Sequence, residues 1–181
     1  SRGLGDVYKR QTHRSVYRFF TVYGPMGRPD MAPMIFADAM LRGQAINVFN
    51  NGNMLRDFTY IDDVIDAIYK CCLKTPYPNI YFHENEPEPS TSFAPHRIFN
   101  VGSNHPINLL KFIELLESSL GVKAVKIMKP IQPGDVQETL ADINFLKDWV
   151  NYSPKTLLGT GILKFAKWYK EYFNSSYYQR R

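Results

Sequence analysis

Apolar and polar positions along this chain switch between helical and strand-like spacing, and the switches divide it into elements. Residues 18–23, Arg-Phe-Phe-Thr-Val-Tyr, form an aromatic and β-branched run that breaks at Gly24-Pro25 and again at Gly27-Arg28-Pro29-Asp30. That is the pattern of a buried strand ending in a loop. Met34, Ile35, Ala37, Met40 and Leu41 then recur at helical spacing over 31–42, with Gly43 as the stop. Ile46, Val48 and Phe49 predict a short strand, Asn50-Asn51-Gly52-Asn53 a turn and residues 55–61 a second strand, which together read as a hairpin. Asp62 and Asp63, read as N-terminal caps, open a helix to about Lys74 with Ile61, Val64, Ile65, Ile68, Cys71 and Cys72 inward. Prolines at 76, 78, 87, 89 and 95 mark residues 75–96 as a surface loop. A strand over Arg97–Val101 follows, then a helix over Leu109–Leu120, capped by Asn108, apolar along Leu110, Ile113, Leu116 and Leu120, and ended by Gly121. Residues 122–128 alternate like a half-buried strand, and 130–142 read as a loop. A last helix over 160–173 is expected to bury Ile162, Leu163, Phe165, Ala166 and Trp168 or Tyr169.

Strands interleaved with helices predict an α/β protein. At 181 residues, 44% of them hydrophobic, the chain can bury a real core. Its charge of +5 does not mark a nucleic-acid surface, because Arg2, Lys9, Arg10 and Arg14 against Asp6, with Arg180 and Arg181, account for all of it. No nucleic-acid or membrane partner is expected, and a cytoplasmic location is the default in the absence of a signal peptide or membrane-length apolar run. The two cysteines, Cys71 and Cys72, are adjacent, and the four histidines show no ligand spacing, so no metal site is expected. Residues 1–11 show no apolar period and read as a non-native leader, with a native start near Thr12.

The strand-ending loop is the first place with candidate chemistry. Thr21 offers a hydroxyl and Arg28 a planar five-donor cation on either side of the bend, a pair able to grip a carboxylate or phosphate. The alternative is a threonine bonded to backbone and a solvated arginine.

The stretch R-F-F-T-V-Y-G-P-M-G-R-P-D-M-A resembles the segment after the catalytic helix of UDP-glucuronate 4-epimerases, within the extended short-chain dehydrogenase/reductase superfamily. The resemblance continues through N-N-G-N-M-L-R-D-F-T-Y-I-D-D (50–63), A-P-H-R-I-F-N-V-G-S (94–103), Q-P-G-D-V-Q-E-T-L-A-D (132–142) and K-F-A-K-W-Y-K-E-Y-F (164–173). It implies that Phe49 stacks on uracil and Arg56 binds diphosphate, roles suited to a π-face and a guanidinium fork. Without it, Phe49 reads as a core residue and Arg56 as the partner of Asp57 or Asp63. It further implies that Asp135 lies by the ribose and Gln132 helps hold the nucleotide, whereas Asp135 alone reads equally as a turn residue after Gly134. Phe19 and Phe20 would lie near the nicotinamide of NAD, and Thr21 with Arg28 would bind the uronate carboxylate.

The same resemblance implies a division of the chain: residues 12–30 as the end of an NAD-binding Rossmann-type domain, 31–174 as a small α/β UDP-sugar-binding domain, and 175–181 as a tail. No G-x-x-G-x-x-G occurs, and none of the 12 tyrosines has a lysine four residues later. The chain therefore resembles the C-terminal portion of such an enzyme, without catalytic residues of its own and inactive alone, with NAD held mainly by the other half. The whole enzyme is expected to be a homodimer that interconverts UDP-glucuronate and UDP-galacturonate through a 4-keto intermediate. Alternatives are another UDP-sugar epimerase or dehydratase, or a non-catalytic sugar-nucleotide-binding protein.

Overall fold

Every strand in the computed structural model, which describes residues 13–174, finds its partner far along the chain. The elements run β1 Arg14–Phe19, β2 Thr21–Tyr23, α1 Ala32–Leu41, β3 Ala45–Val48, a 3-10 turn Phe49–Gly52, β4 Leu55–Tyr60, α2 Ile61–Leu73, β5 His96–Val101, β6 Pro106–Asn108, α3 Leu109–Leu120, β7 Val125–Met128, α4 Asn144–Val150 and α5 Leu158–Phe173. They make three small sheets, β1–β5, β2–β4–β6 and β3–β7, in which only the β4–β6 pairing is antiparallel. The leader expected over 1–11 and the tail over 175–181 lie outside the described residues.

Two expectations about strands are corrected. The run over 18–23 is not one strand: β1 pairs with β5 and β2 with β4. The β5 ladder ends at Val101, whose carbonyl takes the Phe20 N–H at 3.2 Å, so the chain beyond Phe20 adopts β4 as its partner. Nor do the strands flanking the Asn-Asn-Gly turn form a hairpin, since β3 pairs with β7 while β4 pairs with β2 and β6. Asn50, Asn51 and Gly52 all take positive φ, at 49°, 50° and 80°. The Asn51 N–H bonds to the Lys129 carbonyl at 3.1 Å. The turn therefore docks beside the end of β7 and delivers β4 into a different sheet.

The helices follow their patterns more closely. In α3 the Asn108 side chain accepts the Leu110 N–H, and Gly121 closes the helix at φ 77°. Pro33 in the first turn and Gly43 beyond the last one bound α1. Asp62 and Asp63 do not cap α2. Asp63 is buried and accepts the Lys155 and Thr156 N–H groups, each at 3.1 Å, while Asp62 is exposed and pairs with Lys164. Because α2 packs through Val64, Ala67 and Cys71, its apolar contact is narrower than its sequence, leaving Ile65 and Cys72 exposed. On α5, Leu163 is exposed and Tyr169 is the buried aromatic near the end. The short elements β6 and α4 carry too few residues for a period to show.

Two apolar clusters hold these elements. In one, Phe58 of β4 stacks on Phe112 of α3 at 4.2 Å between centroids, with Tyr23 of β2 edge-on to both. Helix α5 closes over Tyr23 at Gly161, where a Cβ would stand 2.1 Å from the phenol oxygen. In the other, Phe99 and Val101 of β5 pack with Val64 and Ala67 of α2 and with Leu146 and Trp149 of α4. Among the described residues no helix is long and apolar enough to cross a membrane, and no group of three or more His, Cys, Asp or Glu is placed to hold a metal ion.

A buried carboxylate ties α3 to β7. Glu117, 4% exposed, accepts from Lys126 Nζ at 2.5 Å, from the Ala124 N–H at 3.0 Å and from Lys123 Nζ at 3.0 Å. Burial pushes this carboxyl up, but those three bonds outweigh it and hold it down at about 2, from an ordinary 4.5. A lowered folded pKa gives stability that is complete above the unfolded value and lost as pH falls through the folded one. Acid titration of the fold should therefore show a loss from Glu117 of up to about 3 kcal/mol as pH falls from about 4.5 to about 2. Glu117→Gln should flatten that segment of a stability-versus-pH curve measured by urea unfolding.

Candidate functional site

Strand alternation sorts the side chains of β4 into two sets. Arg56 and Phe58 face one way, and Asp57 and Thr59 face the other. On the first side, β4, β3, the start of α1 and the 130–135 segment enclose a cavity of about 460 Å³, within the range of about 300–1,000 Å³ usual for small-molecule sites. Thr21, Phe49, Arg56, Gln132 and Asp135 all line it. Five residues from four separated stretches of sequence thus meet at one place. Thr21 arrives because β2 pairs with β4, opposite Phe58. Phe49 arrives on the 3-10 turn that leaves β3.

The 130–142 segment is laced along β4. Leu55 bonds through its N–H to Gln137 O at 2.9 Å and through its carbonyl to Thr139 N at 3.1 Å. Arg56 Nη1 donates to the Leu55 and Gln137 carbonyls at 3.0 and 3.1 Å, and Nη2 donates to Asp135 Oδ1 at 2.8 Å. The partner of Arg56 is thus Asp135, not Asp57 or Asp63. Asp57 points away from it, and Asp63 is engaged with residues 155–156. Asp135 does not act only as a turn residue, although its carboxylate also accepts the Val136 N–H at 2.9 Å.

Arg28 does not line the cavity. Its guanidinium is held side-on by Asp30, Nε to Oδ1 at 3.1 Å and Nη2 to Oδ2 at 2.5 Å, and it is Asp30 that reaches the cavity wall. The hydrogen bond between them raises Arg28 and lowers Asp30 from their ordinary pKa values, so both stay charged. Phe19 and Phe20 are not among the cavity residues. Phe19 is 49% exposed at the end of β1 with its ring stacked on Tyr17, and Phe20 packs against the cluster around Phe99.

Sequence reasoning passed over the residue that assembles the site. Asp57 is fully buried, and its Oδ1 accepts from the Ser103 N–H at 2.7 Å and Ser103 Oγ at 2.6 Å. Its Oδ2 accepts from the Asn104 N–H at 2.9 Å and the Ala141 N–H at 3.0 Å. One carboxylate thereby joins β4 to the turn after β5 and to the segment that carries Asp135. Gly102 is required beside it, since a Cβ there would stand 2.2 Å from the Ala141 Cβ. The available signal was an acidic residue inside a strand, on the face opposite its basic neighbour Arg56.

Most of the chain is similar to known proteins. The profile described as the NAD dependent epimerase/dehydratase family matches residues 8–81. "Protein CapI" of Staphylococcus aureus is 46% identical over 156 residues, which are 86% of this chain and 47% of that relative. A "Probable UDP-glucuronate 4-epimerase" of Rhizobium meliloti (strain 1021) is 36% identical over 178 residues, 98% of this chain and 52% of that relative. Among solved structures, the UDP-glucuronic acid 4-epimerase of Bacillus cereus in complex with UDP-glucuronic acid and NAD superposes with a TM-score of 0.73 at 29% identity, covering 93% of this chain and 49% of that one. The chain spans about half the length of the curated relatives it matches. Its mixed α/β architecture with parallel strand pairs is that of the Rossmann-type extended short-chain dehydrogenase/reductase epimerases over the same half. In sequence and in structure, the chain is thus similar to one half of NAD-dependent sugar-nucleotide epimerases, with the epimerase/dehydratase family profile matching its residues 8–81.

Proposed function

We propose that this chain is the sugar-nucleotide-binding half of a UDP-glucuronate 4-epimerase, interconverting UDP-glucuronate and UDP-galacturonate through a 4-keto intermediate. The observation that carries the reading is the meeting of Thr21, Phe49, Arg56, Gln132 and Asp135 around one cavity. Similarity to a Bacillus cereus enzyme solved with UDP-glucuronic acid and NAD supports it. In this reading residues 12–30 finish the dinucleotide-binding domain and 31–174 are mainly the substrate half, with β5 returning to pair with β1. The whole enzyme works as a cytoplasmic homodimer on a soluble UDP-sugar, with no nucleic-acid or membrane partner.

Each cavity residue has a role that its chemistry suits. Phe49 presents a ring face to the uracil, Arg56 and Gln132 hold the diphosphate, and Asp135 accepts from the ribose hydroxyls. Anchoring the nucleotide this way leaves the sugar free to turn over between removal and return of hydrogen at carbon 4. NAD supplies the hydride acceptor and donor for that chemistry. Among the described residues no Gly-rich strand–turn–helix offers a pyrophosphate cradle, so the cofactor's phosphates are held outside them. Phe19, half exposed at the end of β1, and Phe20 beside it are the residues of this chain nearest to the nicotinamide in this reading.

The 4-keto form of a uronic acid is a β-keto acid, which loses carbon dioxide when its carboxylate turns out of plane. Thr21 and Arg28 hold that carboxylate charged and fixed, which separates epimerisation from decarboxylation. In an enzyme carrying this chain, Arg28→Ala should weaken UDP-glucuronate binding about tenfold and release a UDP-pentose detectable by mass spectrometry. Unchanged affinity together with no pentose would count against a uronic acid substrate and favour a neutral UDP-sugar.

A further inference from the structure

The geometry of the Arg28–Asp30 pair goes one step beyond that reading, on which it rests for the identity of the ligand carboxylate. A guanidinium has five N–H donors arranged along two usable edges. Asp30 takes the Nε–Nη2 edge, leaving the Nη1–Nη2 edge and both of its outward donors unspent. Arg28 and Asp30 are both largely exposed, at 74% and 62%. Without a tether, a side chain so exposed would sample many rotamers, and a ligand would bear the cost of ordering it. The backbone keeps the pair together. Pro29 fixes the link between them, and the Met31 N–H bonds to the Arg28 carbonyl at 3.1 Å. Asp30 lines the cavity wall and Arg28 does not, so the guanidinium is bonded directly to a residue of the cavity lining.

We propose that Asp30 is a positioning residue for carboxylate recognition, holding Arg28 by its side edge so that the end edge meets the carboxylate of a uronic acid sugar nucleotide at the cavity rim. The opposite role, a carboxylate that competes with the ligand for Arg28, would require both to take the same edge. The observed side-on geometry leaves the second edge available.

The test is calorimetric titration of the 181-residue chain and its Asp30→Asn, Asp30→Ala and Arg28→Ala variants with UDP, UDP-glucose and UDP-glucuronate. Both Asp30 variants should bind UDP and UDP-glucose as before and UDP-glucuronate about tenfold more weakly. Combining Asp30→Asn with Arg28→Ala should add little to Arg28→Ala alone. Circular dichroism of each variant verifies the fold, which two exposed side chains should not disturb. Unchanged or tighter UDP-glucuronate binding by Asp30→Asn, with Arg28→Ala still weakened, would overturn the positioning role and leave the carboxylate site standing. Normal UDP binding with no effect of Arg28→Ala would remove the carboxylate site and this inference with it. Absence of UDP binding by the unsubstituted chain would overturn the nucleotide reading, and the role of Asp30 falls with it.

Discussion

Replacing Asp57 by alanine should destabilise the fold by about 4 kcal/mol, because three backbone N–H groups and the Ser103 and Thr59 hydroxyls lose a buried acceptor together. Each buried unsatisfied group costs about 1–3 kcal/mol, and partial relaxation keeps the total below their sum. For a chain of this size that corresponds to a fall of about 10 °C in the thermal midpoint. Asp57→Asn should lose nearly as much, since an amide nitrogen would be placed against N–H donors. The effect should reach the site as well. The Ala141 N–H bond fixes the end of the segment that carries Gln132 and Asp135. Thermal unfolding followed by circular dichroism measures the first effect. A shift of less than about 3 °C would show that these donors find other partners.

Arg56→Ala should cost little of the fold and most of the nucleotide affinity. Its ion pair with Asp135 is partly exposed, at 17% and 32%, and such pairs contribute about 0–1 kcal/mol to stability. A diphosphate held by the same guanidinium is another matter. Charge-assisted hydrogen bonds are worth about 1.5–3 kcal/mol, so UDP should bind about 100-fold more weakly. The contrast is diagnostic. If Arg56→Ala destabilised the chain strongly and left UDP affinity unchanged, Arg56 would be a clamp on the 130–142 segment and nothing more.

The helices were legible because their determinants are local. Asn108 and Gly121 bracket α3, and Pro33 and Gly43 bracket α1, within a few residues of the periods they end. The strands were legible as strands and not as partners. The Asn-Asn-Gly turn carries the residues of a hairpin, and it is the distant partners of its two strands, β7 for β3 and β2 with β6 for β4, that separate them. For the same reason the pairing of Arg56 with Asp135 could not be read from spacing, whereas two neighbouring aspartates offered themselves as partners. Thr21 and Arg28 stood out as an anion-binding pair beside a bend, the other candidate site residues came from resemblance in named motifs, and the fold brings five of the six proposed substrate contacts to one cavity. The sixth, Arg28, does not line it and is bonded to Asp30, which does, a link that emerges only from side-chain geometry.

The central claim is that this half of the molecule recognises a UDP-linked uronic acid, and calorimetric titration of the unsubstituted chain with UDP, UDP-glucose and UDP-glucuronate tests it most directly. Saturable UDP binding that the uronic acid strengthens and glucose does not is the predicted result. UDP-glucose binding as tight as UDP-glucuronate, or no UDP binding by a folded chain, would contradict it.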